Sequence, residues 1–128
     1  FIFHSWSKGS WEIIDKSSFI FYFKNIHNDK FERTFYFGEN NLKIVDRVST
    51  SKDAQVVSGL NFSIYNDMSS GKHISPLLLS DRVKFKSDSS LNLSKGEVSR
   101  CYGESQEILR VEVPINEGEN SFEVVFRD

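Results

Sequence analysis

A chain of 128 residues has the length of one domain, with a single core that removes roughly two thirds of the unfolded surface. A formal net charge of −2, with Lys and Arg scattered, excludes a basic nucleic-acid footprint, and no apolar run is long enough to cross a bilayer as a helix. The one cysteine, Cys101, excludes an internal disulfide framework and a cysteine-rich zinc site; with no His nearby in sequence, it reads as a buried, inert thiol.

Hydrophobic content is only 38%, but twelve Phe is a high count, and bulky aromatics suit half-buried, pleated surfaces. No charged-then-apolar leader opens the chain, and its first residue is Phe, which fits an excised fragment or a processed product. Residues 1–3 read as the end of a strand begun upstream. Trp11-Glu-Ile-Ile reads as a short strand, or as a loop packing its Trp on a sheet.

From there period-two runs dominate, and no window of a dozen residues keeps a helical apolar stripe without a Gly, Pro or Ser-rich break. Phe19, Phe21 and Phe23 share a face, with Ile20 and Tyr22 on the other. Phe31, Arg33, Phe35 and Phe37 alternate with Glu32, Thr34 and Tyr36. Leu42, Ile44 and Val48 alternate with Lys43, Val45 and Arg47. Val56, Leu60, Phe62 and Ile64 share a face broken by Ser58. Lys84 and Lys86, with Arg82, read as the solvated face of a further strand. Near the end, Leu109, Val111, Val113 and Ile115 oppose Arg110 and Glu112, and Phe122, Val124 and Phe126 oppose Glu123 and Arg127. Pro114 marks an edge or a strand end, because it cannot donate to the ladder.

Turn chemistry separates the runs. Asn28-Asp29-Lys30, Gly38 to Asn41 and residues 49–53 read as tight links. Residues 66–72 read as a longer loop, and residues 87–90 and 116–120 as further turns. Regular short strands with turns between them predict an all-β fold, an antiparallel two-sheet β-sandwich formed by residues 1–128 as a single domain.

The order of these pieces resembles a known family. Arg33 among aromatics, a turn, Leu42-Lys-Ile44-Val-Asp46-Arg-Val48 and a long strand ending Leu60-Asn-Phe62-Ser are similar to the C-terminal sandwich of heparinase II/III-like polysaccharide lyases. Val98-Ser99-Arg-Cys-Tyr102-Gly103 resembles the family's Ser-Pro-x-Tyr/Phe-Gly stretch, with Arg100 where the family has Pro, and the strand from Glu107 to Val113 follows. The resemblance spans residues 18 to 127. It implies the C-terminal piece of a larger lyase without its helical toroid domain, from a bacterial periplasmic or secreted protein. The parent would cleave an acidic polysaccharide by β-elimination and hold a divalent metal such as zinc; heparan, alginate and a bacterial capsule all remain open as substrates.

In that family the catalytic His and Tyr come from the toroid, and further His residues from early sandwich strands. His4, His27 and His73 stand alone here, so no catalytic residue, metal ligand or cofactor is carried onto this chain. Paired carboxylates at hydrolase spacing, a nucleophile elbow and a phosphate loop are also missing from the sequence. The expected partners are an acidic polysaccharide and the upstream toroid domain, with no nucleic acid and no membrane.

Five side chains remain as candidates for touching sugar. The resemblance implies that His27 and Arg33 point toward the domain junction, where Arg would grip a carboxylate or sulfate. The competing reading of Arg33 is a cross-strand ion pair with Asp46. Trp6 and Trp11 are possible stacking platforms, or cover the sheet or a partner domain. Tyr102 is a proton donor into a cleft, or a turn residue with its hydroxyl satisfied locally. Two other functions stay open beside the lyase sandwich: a carbohydrate-binding module without chemistry, and a structural sandwich.

Overall fold

The computed structural model describes residues 8–25, 27–50, 56–62, 70–99, 101–115 and 118–126. The readings placed on residues 1–3, Trp6 and Arg100 lie outside them, as do parts of the expected turns at 49–53, 66–72 and 116–120. The described chain is all β: β1 (Lys8–Asp15), β2 (Ser18–Lys24), β3 (Lys30–Phe37), β4 (Asn41–Ser49), β5 (Val57–Phe62), β6 (Gly71–His73), β7 (Leu77–Leu78), β8 (Val83–Ser87), β9 (Leu91–Val98), β10 (Gln106–Pro114) and β11 (Glu119–Phe126). They form two antiparallel sheets packed as a sandwich. One runs β1-β2-β3-β4-β11-β8-β7, the other β5-β10-β9-β6.

The Phe-rich alternation sets the larger sheet. Phe19 pairs with Phe35, Phe35 with Ile44, and Ile44 with Phe122, so one row of apolar side chains crosses four strands on one face. The core forms where that face meets the smaller sheet: Ile44, Phe85, Phe122 and Val124 lie against Leu91, Leu93, Leu109, Val111 and Val113. Each such side chain contributes roughly 1.5–3 kcal/mol on leaving water.

Short polar turns fix the registers. Asp15 Oδ1 accepts the Ser17 N–H at 2.8 Å and the Ser18 hydroxyl at 2.8 Å, closing the β1–β2 hairpin. These bonds hold the Asp15 carboxyl below its ordinary value, the Ser17 N–H contributing most. In the β2–β3 loop, Asn25 Oδ1 accepts the N–H groups of His27 and Asp29 at 2.9 and 3.0 Å, and Asn28 takes the left-handed conformation that Asn tolerates. Gly118 also has positive φ, and a Cβ there would lie 2.9 Å from the Val48 carbonyl oxygen.

Several expectations change. Cys101 is exposed, because it sits in the β9–β10 turn, where its carbonyl accepts the Ser99 hydroxyl at 2.7 Å. Tyr102, beside it, stands fully in solvent rather than packing on its turn. Pro114 takes one of its two expected roles, the strand end, closing β10, an inner strand. The loop expected through residue 72 gives way to β6 at Gly71. Leu91–Val98, not recognised as a strand from its sequence, is β9.

The smaller sheet does not cover the larger one completely. On the core-facing side of β1 and at the near end of β3, Trp11 is 66% exposed, Ile13 81% and Phe37 49%. The seven-stranded layer therefore projects past the four-stranded layer as a step.

Candidate functional site

Arg33 lies on the core-facing side of β3, directly opposite Asp46 of β4. Its Nε and Nη2 donate to the two Asp46 oxygens at 2.7 and 2.9 Å, and Nη2 also donates to Ser58 Oγ at 2.7 Å. The Ser58 hydroxyl in turn donates to Asp46. Ser58 belongs to β5, so this triad ties the smaller sheet to the larger one. The guanidinium also lies 5.9 Å from the centre of the Phe122 ring. With its fork filled by Asp46, Arg33 forms the cross-strand ion pair, and Ser58 explains the polar break in an otherwise apolar face.

The other candidates do not converge on Arg33. His27 is exposed at the tip of the β2–β3 hairpin. Trp11 occupies the same cross-strand row as Arg33, with Phe21 between them, but its ring packs on Phe21 and Phe19 at 4.7 and 5.3 Å. Tyr102 belongs to the turn at one end of the smaller sheet, and Trp6 lies outside the described residues.

A different constellation occupies the outer face of the larger sheet. A groove of about 650 Å³ is lined by Tyr22, Lys24, Lys30, Glu32, Arg47 and Ser49, among others. Two cross-strand rows build it. One runs Ser10, Tyr22, Glu32, Arg47, Glu119; the other runs Lys24, Lys30, Ser49, with Lys8 opposite Lys24 in the register. Phe23, Phe31 and Val48 lie between the rows and contribute backbone there, because alternation sends their side chains to the other face.

The two rows differ in charge. In the first, Arg47 donates to Glu119 at 2.9 Å and Glu32 at 3.1 Å, and these partners, Glu119 foremost, raise its pKa. The Tyr22 hydroxyl points to Glu12 at 3.5 Å. Its pKa is raised, first by burial and then by the charges of Glu12 and Glu32, so the phenol stays protonated and able to donate. In the second row, Lys24 and Lys30 stand directly opposite each other, and no ion pair among the described residues joins either of them. Like charges in that position repel. The sequence carried a sign of this: Lys24 and Lys30 flank a tight turn symmetrically about His27, so a hairpin there must oppose them.

Among the described residues no group of three or more His, Cys, Asp or Glu side chains is placed to hold a metal ion. No family model matches the chain. No curated protein and no solved structure matches it either.

Proposed function

We propose that this chain is a polysaccharide-engaging β-sandwich module, the C-terminal sandwich of a heparinase II/III-like lyase, which holds acidic polysaccharide beside the catalytic cleft and leaves the chemistry to the rest of the parent. The family assignment rests on the sequence resemblance. The observation that supports the binding role is the opposed pair Lys24 and Lys30 in the outer groove. Two ammonium groups that no ion pair joins among the described residues, set against the Tyr22 ring, offer what a uronate or sulfated sugar needs: cations for its charge and a flat apolar surface.

Trp11 is exposed, as a stacking platform must be, but it is set among Phe19, Phe21 and Ile13. Sugar hydroxyls pressed there would lose their hydrogen bonds to water without replacement. The groove, not the Trp11 face, is therefore the glycan site.

Retention of the chain on immobilised acidic polysaccharide tests the binding role. Retention that salt reverses, and that Lys24→Glu with Lys30→Glu abolishes, is expected. Equal passage of wild type and variant through the column refutes it. The lyase assignment is tested by ultraviolet absorbance of unsaturated uronate product. A longer protein that includes a toroid should generate it on at least one acidic polysaccharide, and this chain alone should not.

A further inference from the structure

The step in the sandwich has the shape of its own complement. The Arg33–Asp46–Ser58 triad pins β5 above β3 and β4. At the corner of the step, a notch of about 330 Å³ has Phe21, Phe23 and Phe31 as its floor and Val57, Ser58 and Gly59 of β5 as its wall. Beyond it β1 and β2 project with no strand of the smaller sheet above them among the described residues. Their core-facing surface is a continuous aromatic floor: Trp11 on Phe21 and Phe19, Phe19 stacked on Phe35 at 4.6 Å and on Phe37 at 5.6 Å, Phe23 on Phe31 at 5.5 Å.

Two backbone edges border this void. Among the described residues β5 pairs only with β10, and β1 only with β2. A ledge two strands wide therefore sits below a gap two strands wide, each about 10 Å across. A two-fold related copy, turned over, places its own ledge in that gap. Its β1 then lies beside β5 in the plane of the smaller sheet, and the two aromatic floors meet at the spacing of packed sheets.

We propose that this chain forms a closed homodimer by interlocking these ledges, the Trp11 and Ile13 faces packing on each other and each β1 edge extending the partner's β5. The contact continues the sheet-to-sheet core already present within each copy. It also covers both open edges at once, which a sheet otherwise leaves as sites of uncontrolled pairing. A ledge of one eight-residue and one seven-residue strand is about 10 by 25 Å. The two flat faces together come to about 500 Å², to which side-chain relief and two edge ladders add, so the contact belongs with small interfaces and the dimer is a weak, concentration-dependent one. The glycan groove lies on the opposite face and stays open.

Sedimentation equilibrium of the chain across micromolar to millimolar concentration tests this. A monomer–dimer equilibrium is expected, with Trp11→Lys and Ile13→Lys each raising the dissociation constant at least tenfold. Both side chains are solvent-exposed in the single chain, so the variants keep the wild-type strand circular dichroism and their retention on polysaccharide. A wild type that is monomeric at millimolar concentration overturns the proposal. So does a dimer that both variants leave intact, or open-ended association in place of a closed pair.

Discussion

Replacing Arg33 by Ala removes the one cation that faces Asp46 in the inter-sheet triad. The Asp46 side chain is 6% exposed and that of Arg33 is 26% exposed. Breaking a buried pair costs about 3–5 kcal/mol, because the remaining charge is stranded. Water reaches the Arg33 side, so the lower part of that range applies, about 3 kcal/mol. Asp46→Ala strands the more exposed partner and costs less, about 2 kcal/mol. For a domain of this size the Arg33→Ala loss lowers the thermal midpoint by about 10 °C. Glu119→Ala serves as the contrast: it removes an Arg47 contact whose side chains are 55% and 56% exposed, and it shifts stability by under about 1 kcal/mol. Urea and thermal unfolding followed by far-ultraviolet circular dichroism read all three. An Arg33→Ala variant no less stable than Glu119→Ala, or more stable than Asp46→Ala, would refute the assignment of Arg33 as the inter-sheet tie.

Other consequences follow from the same geometry. Lys30→Glu converts a repulsive cross-strand pair into an attractive one, so it stabilises the fold by up to about 1 kcal/mol while weakening retention on polysaccharide; loss of both stability and binding would contradict it. Gly118→Ala forces a left-handed residue against the Val48 carbonyl and costs more than about 1 kcal/mol by urea unfolding. Asp15 has a lowered carboxyl pKa in the fold, so its contribution is present above the unfolded value and lost as pH falls through the lowered one. The protection factor of the Ser17 amide, its rate corrected for the intrinsic pH dependence of exchange, should therefore fall in acid in the wild type, whereas Asp15→Asn should start less protected and change less.

The all-β fold was legible because alternation and turn residues agree along most of the chain. The hairpins β2–β3 and β3–β4 follow from local loop length, and the Arg33–Asp46 pair follows from their registers. Even Ser58, the flaw in an apolar strand, was visible, but its reason was not, since the tie to Arg33 spans two sheets. The strand β9 escaped notice because only Leu91 and Leu93 carry its apolar face before Lys95 and Glu97 take over the same positions. The insertion of β11 between β4 and β8 is a long-range choice that no local pattern encodes. The step, and with it the exposure of Trp11 and Ile13, depends on how many strands each sheet receives, and strand patterns alone leave that open. Cys101 was misplaced because thiols are usually buried, whereas here turn geometry put it in water. The lysine groove was half legible: the turn opposes Lys24 to Lys30, but the sequence does not reveal that no carboxylate among the described residues pairs with them.

The binding claim is tested most directly by titrating a uronate-containing oligosaccharide into the isotopically labelled chain and following its amide resonances. Saturable shifts centred on Tyr22, Lys24, Lys30 and Ser49, lost in the Lys24→Glu, Lys30→Glu variant, are the predicted result. Shifts centred instead on Trp11 or Tyr102, or none at all, would contradict the account.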